Sequence, residues 1–301
     1  MGFVLFSKVK KKKEKGEGLL FEIVVDACLI LLLLVFIIPL WKVLMVSLNP
    51  SPYPNDPTFG LFPSPARWSL VAYRQFLTHS SFLVAAYNSV RILVGGVGLS
   101  LFLTVPLAYV LSIQELPGRR FLYILVLIPF WFNPGLIPNY ILITNLGLID
   151  TLPAVFLPGA LSVYNTLVMK SFFESLPKDI KESARIDGAK ELTILLRIIL
   201  PLSKPILLTI GLFYGVHFWN DFFSPLLYLN KPSLQPIPVL LRSILIASDI
   251  NEYVDYDAFS AASVESLKAA SVLIAALPLI LAYPWIQKYF TKGTLIGSIK
   301  G

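Results

Sequence analysis

From about residue 19 onward, long apolar runs alternate with short polar or charged segments. A bilayer's hydrocarbon core demands about 20 apolar residues of each spanning helix. Such runs fall at 19–46, 83–113, 120–143, 152–173, 203–228 and 267–290. The pattern predicts an all-α membrane protein with six transmembrane helices. The first run has an uncharged core from Ala27 to Trp41, with Lys42 able to snorkel to the interface. It exceeds the apolar part of a secretory signal and no small-residue cleavage site follows it, so a retained span is expected.

An even number of crossings leaves both ends of the chain on one side. Lys8, Lys10, Lys11, Lys12, Lys13, Lys15, Arg119, Arg120, Lys178, Lys181, Arg185, Lys190, Arg197, Lys288, Lys292 and Lys300 all fall on that side. The excess of basic residues on cytoplasmic loops predicts that both termini are cytoplasmic. Residues 1–18 then form a basic tail, solvated and orienting, which also suits contact with anionic lipid. The six-helix domain occupies residues 19–301, with an external loop at 230–264 that ends in the acidic stretch Asp249 to Asp257.

Composition agrees with this reading: 56% hydrophobic and 14% charged residues, with a mean hydropathy of +0.73, leave too little charge to cover a soluble domain. Lone Cys28 excludes an internal disulfide and a cysteine metal cluster, and His79 and His217 are too few for most metal sites. The net charge of +7 is divided among segments by the spans, which argues against a nucleic-acid-binding face. No Gly-Lys dipeptide occurs, so a phosphate-binding loop of the Gly-Lys type is absent. His-Glu-x-x-His is also absent, and His217 has no recognisable nucleophile.

Prolines punctuate the spans, among them Pro106, Pro129, Pro134, Pro138, Pro158, Pro225, Pro278 and Pro284. Backbone groups freed by proline in a bilayer need burial in protein or a wet cavity, which puts the third span in a bundle interior. Packing and a pathway role both remain open there. Gly95, Gly96 and Gly98 suit close helix approach. Polar and aromatic groups at membrane depth are candidates for a solute pathway: Tyr164 and Asn165 in the fourth span, Tyr214, Trp219, Asn220 and Asp221 in the fifth. Rings stack on sugar C–H faces and amides bond hydroxyls. An interfacial aromatic belt and a helix cap are the alternatives for Trp219 and Asn220.

The segment 174–205 is charged, helical in pattern and flanked by spans. Pro177 suits a first helical turn, Gly188 a bend, and Leu192, Leu195, Leu196 and Ile199 one apolar side of a second helix. A short rigid helix of this kind can seat in a partner's groove and move as a unit, while an amphipathic helix on the headgroups fits the pattern equally.

Glu182-Ser-Ala-Arg-Ile-Asp-Gly-Ala189 followed by Ile198-Ile-Leu-Pro-Leu-Ser-Lys-Pro205 resembles the EAA signature of type I ABC importer permeases. Leu116-Pro-Gly-Arg119, Asn145-Leu-Gly-Leu148, Leu157-Pro-Gly-Ala160, Trp219-Asn220 and the C-terminal stretch from Gln287 are similar to carbohydrate permeases of the maltose-system type. Pro134-Gly-Leu-Ile-Pro-Asn-Tyr140 and Lys204 resemble the branch that handles alginate, aldouronate and other oligosaccharides.

The resemblance implies a coupling helix that docks on an ATPase through Glu182, Ser183, Ala184, Asp187, Gly188 and Ala189, with serine at 183 where alanine is usual. It implies an external loop contacting a solute-binding protein, with Asn251, Glu252, Tyr253 and Asp255 in the docking stretch. The partners implied are a homologous second permease, two ABC ATPase subunits carrying ATP and Mg, the extracytoplasmic binding protein, a carbohydrate and the lipid bilayer. No cofactor is expected in this chain and no catalytic residue. A secondary transporter and an intramembrane enzyme remain as other classes; the first would follow an ion gradient, the second would need a nucleophile or metal site.

Overall fold

The computed structural model describes residues 17–49, 68–246 and 263–297, and every regular element among these is a helix. The helices are α1 (Glu17–Ser47), α2 (Val71–Thr78), α3 (Ser80–Ser112), α4 (Arg119–Trp131), α5 (Leu136–Asn145), α6 (Pro153–Phe156) and α7 (Val163–Ser175). There follow α8 (Lys178–Ile186), α9 (Glu191–Leu202), α10 (Lys204–Asn220), α11 (Phe223–Tyr228), α12 (Ile237–Ile246) and α13 (Val264–Gly297).

Helix α3 is the axis of the fold. It packs against α10 and α7 most extensively, and against α2, α6 and α12. One core gathers Ile92, Tyr109, Met169, Phe173, Ile210, Tyr214 and Phe218, and continues into Ala184, Ile194 and Ile199 of the 174–205 segment. A second joins Phe76, Phe82, Trp219, Ile237, Ile244 and Leu267. The predicted glycine face is real at one position: a Cβ on Gly96 would lie 2.6 Å from the Phe218 ring, and one on Gly95 3.3 Å from the Phe156 ring, whereas Gly98 has nothing within 4 Å.

Helix α1 stands apart. Every described side chain from residue 21 to 40 is exposed, and side-chain burial begins at Trp41, which with Leu44 and Tyr73 covers Met45 and Leu48; the helix also contacts α13. Because the exposed residues from Leu29 to Ile38 are all Leu, Ile, Val or Phe, water is the wrong solvent for this surface; lipid or another membrane subunit suits it.

The predicted spans are more broken than the apolar runs suggested. Among the described residues two helices, α1 and α3, are long and apolar enough to cross a membrane, or up to four if each bent pair is one span. The run at 120–143 is α4 and α5, bent by 112°. Pro134 and Gly135 make that break: Gly135 has φ 83° and ψ −176°, a region open essentially to glycine, and its N–H donates to Asn133 Oδ1 at 2.9 Å.

The run at 152–173 is likewise divided, into α6 and a 13-residue α7, which is about 20 Å long and shorter than the hydrocarbon core. Pro158 and Gly159 fall at the interruption. The run at 203–228 ends its first helix at Asn220, where Asp221 Oδ1 accepts the N–H groups of Phe223 and Ser224 and starts α11. Helices α9 and α10 are bent by 85°. The 267–290 run lies within α13.

Candidate functional site

Two places in the bundle concentrate polar chemistry, and α3, α7 and α10 connect them. The first is a cleft of about 390 Å³ lined by Gly159, Ser162, Tyr164, Asn165, Tyr214 and His217. It exists because the chain breaks between α6 and α7. Ser162 restarts the helix, its hydroxyl accepting the Asn165 N–H at 3.3 Å. Gly159 lets the chain pass close to α10, since a Cβ there would lie 3.2 Å from His217 Nε2.

Tyr214 is fully buried. Its hydroxyl shares a 2.8 Å hydrogen bond with Thr104 Oγ1 of α3 and accepts the Ser162 N–H at 3.0 Å, so it fixes the wall of the cleft. Asn165 is nearly buried, and its side-chain amide has no hydrogen-bond partner among the described residues. Tyr164 is well exposed and also lines a second cleft of about 530 Å³, with Asn133, Asn139, Pro134 and Pro158. Ser162 and Tyr164 belong to both, so the two form one groove between the broken spans. Amides and aromatic rings with no carboxylate or ammonium are donors and faces for a hydroxyl-rich solute.

Of the sequence candidates, the fold therefore brings Tyr164, Asn165 and Tyr214 together. Trp219 turns elsewhere: it is buried, and its Nε1–H donates to the Ala275 carbonyl of α13 at 3.0 Å. Asn220 is exposed and donates to the Val216 carbonyl at 3.0 Å. Asp221 caps α11 as described above. Asn133 and Asn139 were not among the pathway candidates named from the sequence. Amides beside prolines within an apolar run were the available signal, because a broken helix at membrane depth must line a cavity or be buried.

The second place is the segment 174–205. Helix α8 ends at Asp187, and Gly188 follows with φ 79°. The Ala189 N–H reaches back to the Ala184 carbonyl at 3.0 Å and the Gly188 N–H to that of Arg185 at 3.0 Å, a left-handed closure that satisfies the last carbonyls of the helix. Ala184 faces inward and is buried, while Glu182, Ser183 and Asp187 face outward. Ile186 is 85% exposed and Leu192 66%, leaving apolar side chains at the tip of an otherwise charged bend.

Polar struts hold this bend to the bundle. Arg185 Nε donates to Glu191 Oε1 at 2.8 Å, and the Tyr109 hydroxyl of α3 donates to Glu191 Oε2 at 2.6 Å. Lys181 Nζ donates to the Phe173 carbonyl at 3.0 Å and Lys178 Nζ to Gln114 Oε1 at 3.1 Å. Burial pushes the Glu191 carboxyl up, but the bonds from Tyr109 and Arg185 and the charges of Arg185 and Lys181 outweigh it and hold the group below its ordinary range. Burial, then the neighbouring Arg185, pulls Lys181 down.

The basic tail to residue 16 and the docking stretch with Asn251, Glu252, Tyr253 and Asp255 lie outside the described residues. The described part of the 230–264 loop is anchored on α3: Asn88 Nδ2 donates to the Ser233 carbonyl at 2.9 Å, and Ser89 Oγ accepts the Ile237 N–H at 2.9 Å.

An all-helical membrane bundle with broken spans around a polar groove, and a charged helical bend strutted to its end, has the form of a transporter's membrane subunit. A family model described as "binding-protein-dependent transport system inner membrane component" matches residues 23–295, and the chain belongs to that family. Protein LplC of Bacillus subtilis (strain 168) is 40% identical over 245 residues, covering 81% of this chain and 82% of that protein. The polygalacturonan/rhamnogalacturonan transport system permease protein YtcP of the same organism is 36% identical over 284 residues, 94% of this chain and 99% of the relative. Among solved structures, a chain of a bacterial ABC transporter involved in the import of the acidic polysaccharide alginate superposes with a TM-score of 0.86 at 29% identity, covering 93% of this chain and 100% of that one.

Proposed function

We propose that this chain is the permease subunit of an ATP-driven importer of carbohydrate, with an oligosaccharide as its substrate. It crosses the cell membrane six times with both termini in the cytoplasm. It works beside a homologous permease, two ABC ATPase subunits that bind ATP and Mg, and an extracytoplasmic solute-binding protein. The groove at Ser162, Tyr164 and Asn165 carries this reading, because it offers amides and ring faces inside the bundle and shares α3, α7 and α10 with the strutted bend. The names of YtcP and of the arabinooligosaccharide permease AraQ of Halalkalibacterium halodurans, 28% identical over 268 residues, support the substrate class.

In this reading Glu182, Ser183, Ala184, Asp187, Gly188 and Ala189 form the contact with the ATPase. Closure of the ATPases moves α8 and, through the Tyr109–Glu191 and Lys181–Phe173 bonds, tilts α3 and α7 about the groove. The chain binds, orients and releases solute and makes no covalent change in it.

The test is uptake by proteoliposomes holding the permease pair, with or without the ATPases and binding protein. Uptake of labelled oligosaccharide should require ATP, the ATPases and the binding protein. Uptake that follows an ion gradient without the ATPases would assign the chain to secondary transport instead.

A further inference from the structure

A third cleft, of about 490 Å³, lies at the turn between α3 and α4 and is lined by Gln114, Gly118, Arg119, Arg120, Tyr123 and Lys170. It is separate from the solute groove and from the Ala184–Glu191 bend. Its charges do not balance. Glu174 is shared by Arg119 Nη2 at 2.6 Å and Lys170 Nζ at 2.9 Å, and Arg119 Nε also donates to the Leu111 carbonyl at 2.9 Å. Arg120 is exposed and has no ion-pair partner among the described residues. Three cations thus meet one carboxylate. Lys170 Nζ also stands 5.4 Å from the centre of the Tyr123 ring, over its face.

The geometry points to an anionic phospholipid headgroup as the ligand of this cleft. The 13-residue α4 starts here from Gly118 with no side-chain cap, so its positive end adds to the field of the arginines. The helix then runs away from the cations with Phe121, Ile124, Leu125 and Ile128 exposed along it. A molecule that carries a phosphodiester and two acyl chains matches both halves of that arrangement, the anion against Arg120 and the chains along α4. A free phosphate would engage the cations alone. The inference rests on the proposed orientation, in which this turn faces the cytoplasmic leaflet, where anionic lipids attract basic groups.

The experiment is native mass spectrometry of the assembled transporter released from micelles containing dioleoylphosphatidylglycerol or dioleoylphosphatidylcholine at equal concentration. The intact complex should retain phosphatidylglycerol in preference to phosphatidylcholine. Arg120→Gln should lower that retention about fivefold, the effect of one lost cation near a headgroup, and Arg120→Lys should restore most of it. Equal retention of the two lipids, or an unchanged preference in Arg120→Gln, overturns the assignment. Displacement of phosphatidylglycerol by an equal concentration of inorganic phosphate also overturns it, since the cleft would then select the anion and not the lipid. Lipid retention is read without transport, so a failure here is distinguishable from a failure of the importer reading.

Discussion

The hydroxyl of Tyr109, in the last turn of the bundle's central helix α3, donates to Glu191 Oε2 at 2.6 Å, and the other oxygen of the same carboxylate holds Arg185 of α8. One side chain thereby ties the α8–α9 bend to the helix that packs against most of the bundle. A hydrogen bond to a charged group is worth about 1.5–3 kcal/mol, with the half-exposed side of Glu191 toward Arg185 contributing less. Tyr109→Phe should leave the protein inserted and assembled but lower the solute carried per ATP hydrolysed, with a fall in thermal stability of about 1–2 kcal/mol. An unchanged ratio of transport to hydrolysis would mean that the strut does not transmit motion.

Gly188 sits at φ 79°, and a Cβ there meets nothing within 4 Å, so the backbone angle alone discriminates among substitutions. Gly188→Ala should cost about 1 kcal/mol and Gly188→Asn less, because asparagine tolerates the left-handed region. Gly188→Pro cannot adopt that angle and should leave a membrane-inserted chain that fails to hold the ATPase. Co-purification of the ATPase with each variant gives the order; ATPase retention by the proline variant at the level of the parent chain would remove the bend from the coupling contact.

Gly96 and Gly98 are two residues apart and behave differently. Gly96→Ala drives a methyl group to 2.6 Å from the buried Phe218 ring, an overpacking that costs about 1–3 kcal/mol. Gly98→Ala has open space and should be neutral. Thermal unfolding of the two variants in detergent checks this contrast, and equal stability would mean that α3 and α10 separate easily.

Trp219 and Asn165 separate packing from passage. Trp219→Ala removes a buried ring and its bond to Ala275, a loss of about 3–5 kcal/mol that should cut the amount of folded complex while uptake per complex persists. Asn165→Ala and Tyr164→Ala alter the groove and should lower uptake per complex severalfold with abundance maintained. If Asn165→Ala and Tyr164→Ala reduced abundance alone, the solute would pass elsewhere.

Orientation has its own test. A small tag beside Lys190 should react with a membrane-impermeant reagent only from the cytoplasmic side, and one near Asn251 only from outside. External labelling at residue 190 would reverse the assignment of both faces.

The apolar runs, the basic residues between them and the motif from Glu182 to Ala189 were legible in the sequence because they depend on local composition and spacing. The breaks were legible in part. Proline marks where a helix is disturbed, but whether Pro106 is absorbed within α3 while Pro134 and Gly135 turn the chain by 112° is decided by the glycine angle and the Asn133 turn beside it.

Which polar residues share the groove was not legible. Tyr214 and Trp219 lie five residues apart on α10, about 140° around the helix, so only one of them can share a face with Asn165. Sequence names both as candidates; packing chose, because α3 and α7 met the Tyr214 face and α13 took the Trp219 face. The Tyr109–Glu191 bond joins residues 82 apart, and no local pattern encodes such a pair. Apolar spacing determines where this chain enters and leaves the bilayer, since transfer free energy acts residue by residue; the contact of one helix face with another determines what the enclosed side chains can do, and that exists only once the helices have packed.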